Sequence, residues 1–357
     1  MKIPVGVLGA TGMVGQRFVL LLAQHPWFEV VALAASPQSA GKSYAAAVAG
    51  RWVHDAAIPP AMQNLTVYSI EDDKKTIADK VRVVFCAIDL DKATIQKIEE
   101  AYAALGVAVV SNNSAHRWTA DVPMLMPEVN PQHLEMITIQ RKNRGWTTGC
   151  IVTKPNCSIQ CYVPLLQAWR QFEPAAVIVS TYQAISGAGK TFATWPEMVD
   201  NVIPYIGDEE KKSETEPAKI WADIQAGQFV LADTPTISAN CIRVPVSNGH
   251  LAAINVRFTK PVTRSQLLEA ITQFDNPLAD LHLPSAPQPL LQYCVEDNRP
   301  QTKLDRDWQN GMGISIGRLR ADAILGWKCV ALAHNTIRGA AGGAVLVAEL
   351  LHAKGYL

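Results

Sequence analysis

Residues 153–169 read TKPNCSIQCYVPLLQAW. Cys157 follows a Lys-Pro-Asn turn and precedes an apolar run in which Ile159, Val163, Leu166 and Trp169 recur at helical spacing. A thiol at a helix N-terminus meets free N–H groups and the positive end of the dipole. Both lower its pKa and make the thiolate a nucleophile. The same cysteine could be buried filler, as the other six in strand or core contexts are read. A thiol nucleophile calls for a base, and of eight histidines His250 stands out, in CIRVPVSNGHLAAINVRF. Asn248-Gly249 is a two-residue hairpin signal. Such a hairpin puts residues 243, 245 and 247 on the face of 250, 252 and 254, so Arg243 and His250 point to one side. A cation and an imidazole on one face suggest a site for an anionic substrate. A surface hairpin carrying two polar residues is the alternative.

A second constellation lies at the start of the chain. Gly9, Gly12 and Gly15 form GxxGxxG between the strand pattern IPVGVLG and the helical pattern MVGQRFVLLLAQHP. Glycine allows the tight turn and lets the backbone approach a pyrophosphate, which the helix N-terminus then holds. The next strand, FEVVALAAS, ends without the acid that usually binds a ribose 2′-hydroxyl. Ser36, Ser39 and Lys42 follow instead, hydroxyls and a cation that suit a 2′-phosphate, so NADP is expected over NAD. A solvated loop is the other reading of Lys42.

The elements that must position these groups fall into two regions. Up to about residue 150, apolar strands alternate with helices: VRVVFCAID, then LDKATIQKIEEAYAALG ending at Gly106, then VAVVSNN. This order implies a parallel sheet covered on both faces. Afterwards VIVSTYQAIS, CIRVPVS and LAAINVRFT alternate in polarity, as antiparallel strands with one packed face do. A polar insertion, GDEEKKSETEPAKIW, interrupts them, and an Ala- and Gly-rich helix, TIRGAAGGAVLVAELLHAKG, closes the chain.

Composition bounds the rest. The 357 residues suffice for two domains, with 48% hydrophobic and 18% charged residues. Lys+Arg and Asp+Glu are 32 each, so no basic excess favours nucleic acid or a membrane surface. MKIPVGVLGATG enters a strand pattern directly, without the apolar stretch of a signal peptide, and no run of 18 apolar residues occurs. Seven cysteines without CxxC or CxxH spacing make zinc unexpected and fit a reducing cytoplasm.

Ten segments then match one family in order: GATGMVG, SNNSAHRW, MPEVNP, PNCS, TYQAISGAG, the E-x-x-K at 209–212, RVPVSNGH, RPQTKLDRD, GMGISIGRLR and HNTIRGAAGG. The chain resembles aspartate-β-semialdehyde dehydrogenases of the archaeal/fungal-type branch over nearly its full length. The resemblance implies an α/β fold: a Rossmann-like parallel-sheet NADP domain (1–154 plus 336–357) and an α+β catalytic and dimerisation domain with a mixed sheet (155–335). It implies NADPH-dependent reduction of L-aspartyl-4-phosphate to L-aspartate 4-semialdehyde through a cysteine thioester, with phosphate released, on the path to lysine, threonine, methionine and isoleucine. It also implies a homodimer or homotetramer.

Roles carry over with it. Cys157 matches the nucleophile, His250 the acid–base residue and Gln183 the residue that orients the substrate. Arg243 matches the α-carboxylate ligand, Glu209 the ammonium ligand, and Lys212 and Arg117 the phosphate ligands. Glu210 and Lys211 could slide into the 209–212 roles, and Pro217 departs from the usual residue, so the local helix could begin differently. Cofactor contacts fall on Gly9, Thr11, Gly12, Met13 and Val14, and on Ser186, Gly187 and Asn335. Malonyl-CoA reductases share several of these segments and are the nearest alternative. A non-catalytic NADP-binding scaffold is the second.

Overall fold

The computed structural model describes all 357 residues. Strands β1 (Ile3–Leu8), β2 (Phe28–Ala35), β3 (Val67–Ser69), β4 (Val83–Cys86), β5 (Ala108–Ser111) and β6 (Cys150–Thr153) form one sheet. Its order is β3-β2-β1-β4-β5-β6, parallel throughout. Every residue of β4, β5 and β6 is buried, as expected for a sheet covered on both faces. The chain passes outward from β1 to β2 and β3, then returns to β4 on the other side. That reversal opens a crevice at the carboxyl ends of β1 and β4.

The glycines of the first loop are sterically required. Gly9 has φ +83°, and a Cβ there would lie 2.4 Å from the Ala87 carbonyl oxygen. A Cβ on Gly15 would lie 2.1 Å from the Gly9 carbonyl oxygen. The loop therefore folds tightly against the Met13–Leu22 helix and the strand beside it.

The second sheet contains β7 (Pro174–Gln183), β10 (Thr236–Arg243), β11 (His250–Phe258), β12 (Leu291–Cys294), β13 (Ile314–Asp322) and β14 (Gly326–Ala333). A separate ribbon, β8 (Asp223–Gln225) with β9 (Gln228–Val230), lies between β7 and β10 in the chain. The order is β10-β7-β11-β14-β13-β12, with β10–β7 and β12–β13 parallel and the other pairs antiparallel. The sheet is mixed, not antiparallel as the polarity pattern alone indicates. The Asn248-Gly249 hairpin does not form, because β7 lies between β10 and β11. Residues 244–249 instead cross over the end of β7. Alternating burial along β10 and β11 is as read from the sequence, with Ile237, Ala239, Ala252, Ile254 and Val256 in one core.

The chain's last helix, Gly342–Ala353, is buried from Gly342 to Leu351 and shares the core of the first sheet with Val5, Val7, Phe85 and Val110. Its one buried acid, Glu349, is satisfied by His25 Nε2 at 2.8 Å and by the Ser285 N–H. Just before it, Arg338 donates two hydrogen bonds to Glu128 at 2.8 and 3.2 Å, both side chains buried. No helix is long and apolar enough to cross a membrane.

Candidate active site

Cys157 is the one partly exposed cysteine; the other six are buried. It follows β6 by four residues, at the parallel sheet's carboxyl edge. The helix after it is shorter than the apolar spacing suggests: a 3-10 turn, Ser158–Cys161, then a single short helix, Val163–Ala168. Asn156 shapes the turn, its Oδ1 accepting from the Ser158 N–H at 2.8 Å and hydroxyl at 2.6 Å. So short a helix gives little dipole. Burial, and next the carboxylate of Glu209, push the Cys157 thiol up to about 11, while Lys154, Arg117 and Arg243 pull it down. Folding thus holds the Cys157 thiol above its ordinary value, against the lowering expected of a helix N-terminus.

His250 Nε2 lies 3.5 Å from the Cys157 sulfur. Its other nitrogen, Nδ1, accepts the Ala184 N–H at 3.1 Å. Nδ1 therefore carries no proton, and the neutral ring presents Nε2–H to the sulfur. Burial first, then the Arg243 cation, push the imidazole down to about 3, so the ring stays neutral. Its geometry is that of a hydrogen-bond donor to negative charge rather than a ready base.

Arg243 and His250 do converge, for a reason other than a hairpin. Both flank the end of β7, where Arg243 stands beside Gln183 and Leu251 beside Tyr182. A Cβ on Gly187 would lie 2.8 Å from Arg243 Nη1 and 3.1 Å from two ring atoms of His250. Glycine at 187 is what lets the two side chains meet. Arg243 donates to the Ala184 carbonyl at 2.7 Å and has no carboxylate partner, which leaves guanidinium donors for a ligand.

The polar insertion is a helix, Glu209–Ile220, whose inner face buries Glu209, Ser213, Glu216 and Ile220. Glu209 accepts from Asn156 Nδ2 at 2.9 Å, Lys212 Nζ at 2.9 Å and Gln183 Nε2 at 3.3 Å. Glu210 turns instead to the Cys241 N–H, and Lys211 is exposed. The helix starts at Glu209 and runs through Pro217. Pro217 has no N–H for the Ser213 carbonyl four residues earlier, and the Tyr162 hydroxyl donates there at 2.9 Å. One turn on, Glu216 accepts from Arg117 Nη1 at 2.8 Å and from the Asn156 N–H at 2.7 Å. Arg117 also donates to the Lys154 carbonyl at 3.0 Å, so it is held rigidly beside the thiol's turn.

The crevice at the first sheet has a volume of about 470 Å³ and is lined by Gly9, Thr11, Gly12, Ser36, Glu71 and Asp89 among others. Gly12 caps the Met13–Leu22 helix with no side chain, leaving the first-turn N–H groups of Met13 and Val14 open to an anion. A dinucleotide fits this cradle. Ser39 does not line it; the residue is buried and its hydroxyl accepts from Arg51 at 3.4 Å. Lys42 is exposed beyond the rim. On the catalytic side, Asn335 donates to the Ser186 hydroxyl at 2.9 Å and accepts the Gly249 N–H at 2.8 Å.

Residues 4–137 match the family described as semialdehyde dehydrogenase, NAD binding domain, and residues 163–338 match semialdehyde dehydrogenase, dimerisation domain. An aspartate-semialdehyde dehydrogenase from Archaeoglobus fulgidus is 42% identical over 98% of both chains. One from Schizosaccharomyces pombe is 39% identical over 99% of both. The crystal structure of aspartate semialdehyde dehydrogenase with NADP from Candida albicans aligns over both full chains, with TM-score 0.89 and 36% identity.

The chain belongs to the aspartate-semialdehyde dehydrogenase family. Beyond the residues that the family resemblance names, the structure adds Glu216, which holds Arg117, and Asn156, which links Glu209 to the cysteine turn. It adds Gly339, where a Cβ would lie 2.9 Å from Cys157 Cβ. It also adds Lys154, a lysine 1% exposed beside the nucleophile's turn. Glu216 had a sequence signal, seven residues beyond Glu209 on one helical face. Lys154, three residues before Cys157, and Gly339, in HNTIRGAAGG, stand in segments already singled out, but their packing against the cysteine turn is decided only by folding.

Proposed function

We propose that this family member reduces L-aspartyl-4-phosphate to L-aspartate 4-semialdehyde, with NADPH as reductant and phosphate released. The observation that carries this reading is the Cys157 sulfur 3.5 Å from a neutral His250, with Glu209, Arg117 and Arg243 near enough to act on its charge and Lys212 bonded to Glu209. An amino acid activated at its side chain has four handles: an ammonium, an α-carboxylate, a carbonyl and a phosphate. Glu209 takes the first, Arg243 the second through a planar two-pronged grip, and Arg117 with Lys212 the last. Gln183, bound to Glu209 at 3.3 Å, orients the chain between them. Holding both ends of the substrate fixes the angle at which the sulfur reaches the carbonyl.

The Cys157 thiolate attacks that carbonyl, the C–O bond to phosphate breaks, and a thioester forms. Arg117 and Lys212 neutralise the leaving phosphate where its charge builds. NADPH, when bound, supplies the hydride. In each tetrahedral stage His250 Nε2–H donates to the oxyanion. Collapse of the second stage releases aldehyde and regenerates the thiolate, to which the same N–H donates. Met13, Val14, Gly9, Thr11 and Gly12 would hold the pyrophosphate, Ser36 with the exposed Lys42 the 2′-phosphate, and Ser186, Gly187 and Asn335 the nicotinamide side, while the buried Ser39 is left out of the phosphate site. The NADP unit comprises 1–154 and 336–357, and the catalytic unit 155–335. The enzyme works in the cytoplasm as a homodimer or homotetramer.

The test is NADP reduction driven by aspartate semialdehyde and phosphate, set against NADPH oxidation driven by malonyl-CoA. The first should proceed and the second should not. Cys157→Ala should lower kcat by about 10⁴-fold or more with NADP affinity unchanged, and substantial residual turnover would remove Cys157 as nucleophile.

A further inference from the structure

Two groups that serve different ends of the proposed substrate hold each other in the ligand-free site. Glu209 Oε1 accepts from Lys212 Nζ at 2.9 Å, and this is the one hydrogen bond that Nζ makes. Glu209 is fixed by other groups as well. Asn156 Nδ2 donates to the same oxygen at 2.9 Å, and Gln183 Nε2 donates to the other at 3.3 Å. The two side chains differ in access, Glu209 at 11% exposed and Lys212 at 25%. The carboxylate is built into the site, while the lysine reaches it from the open side on a flexible four-carbon stem. Both residues stand in the first turn of the Glu209–Ile220 helix. A cation there meets the positive end of the helix dipole, so Glu209 is what holds Lys212 in place. A buried carboxylate of this kind balances one positive charge. An ammonium that arrives at Glu209 therefore leaves Lys212 without its counter-charge.

We propose that Glu209 and Lys212 form an exchange switch: the substrate ammonium replaces the Lys212 ammonium on Glu209, and the freed Lys212 turns to the phosphate. The inference rests on the ammonium and phosphate roles that the proposed function gives these two residues. One ammonium replaces another, so no proton moves and the charge on Glu209 stays balanced. Lys212 regains in the phosphate the partner it lost. The phosphate pocket is then complete only while an amino acid is bound. An acyl chain of the same length without the amine leaves Lys212 on Glu209. Phosphate then meets Arg117 alone, and Arg117 already donates to Glu216. The switch thus selects for the amine at the phosphate step as well as at the ammonium pocket. Such coupling is reciprocal, so phosphate must tighten the aldehyde by the factor by which the ammonium tightens phosphate.

The experiment is the Kd of inorganic phosphate, read by titration calorimetry in full-length Cys157→Ala, alone and with saturating aldehyde. Aspartate semialdehyde carries the ammonium, and succinate semialdehyde is the same chain without it. The first should tighten phosphate about tenfold, and the second should leave it unchanged. With Lys212→Met added, the gain from the ammonium should disappear. With Glu209→Gln added instead, phosphate should bind about tenfold more tightly with no aldehyde present, because Lys212 is already free. Equal phosphate Kd values with the two aldehydes overturn the proposal. So does a gain that survives Lys212→Met, since direct attraction between ammonium and phosphate then accounts for it. If the aldehydes bind Cys157→Ala too weakly to saturate it, the phosphate KM of the native enzyme with each aldehyde is the readout, and equal values overturn the proposal. Native turnover of aspartate semialdehyde with uncoupled phosphate binding would remove the switch and leave the proposed function standing. Absence of that turnover would sink the function itself.

Discussion

At the scale of single residues, the site is a balance of buried charges. Arg243 gives the clearest test of how substrate is held. Lysine at this position keeps the charge but loses the planar fork, so Arg243→Lys should lower kcat/KM by about 10²-fold, mostly through KM. An unchanged kcat/KM would argue against carboxylate binding. His250 and His334 carry a pH signature. Burial is the main cause in both, with Arg243 next for His250 and Arg17 next for His334, and each is pushed down to about 3. Above the ordinary histidine pKa of about 6.5, folded and unfolded chains both hold them neutral and their contribution is intact. Below it the unfolded chain binds the extra protons, so stability falls as pH drops from about 6.5 toward about 3. At pH 5 the loss should be about 1–2 kcal/mol for each histidine. Urea midpoints at pH 7 and pH 5 measure it, and His334→Gln should flatten the slope.

At the scale of elements, the helix Glu209–Ile220 shows how a polar segment becomes part of a core. Its inner face is polar because it builds the site, and Pro217 leaves one buried carbonyl that Tyr162 satisfies. Tyr162→Phe should therefore cost about 1–3 kcal/mol, the penalty of an unpaired buried acceptor. In a Pro217→Ala background the new N–H can serve Ser213, so the same change should cost clearly less. Equal costs in the two backgrounds, measured by urea unfolding, would show that the hydroxyl does not substitute for the missing helical bond. Periodicity alone made this segment a plain insertion. Its buried groups are polar, so the apolar stripe that normally reveals a packed helix is weak.

At the scale of the whole molecule, the last helix ties the chain's end to its beginning. It shares the core of the first sheet, and Arg338, just before it, reaches Glu128 in a buried pair. Removing one partner leaves the other charge buried and unpaired. Glu128→Gln should cost about 3–5 kcal/mol in urea unfolding. A loss under about 1 kcal/mol would mean that water reaches the guanidinium. The same chain end carries Gly339 and Gly343, against which Cys157 and Lys154 rest. Docking of the terminal helix thus positions the nucleophile, and a destabilised helix should lose activity before it unfolds globally.

The sequence by itself determined the glycine loop, the doubly covered parallel sheet, the one-faced burial of β10 and β11, the thiol and imidazole, and the return of an apolar final helix. Each is written locally, in steric need for glycine, in period-2 or period-3.6 burial, or in a short run of neighbours. Only the tertiary structure decided that β7 separates β10 from β11, which cancels the hairpin yet still brings Arg243 to His250. Burial period fixes which face a residue takes, but not which strand lies beside it, since pairing is chosen among distant segments. The ionisation of Cys157 was likewise undecided until folding. It depends on how much water is excluded and which charges gather, and those charges come from residues as far apart as Arg117, Glu209 and Arg243.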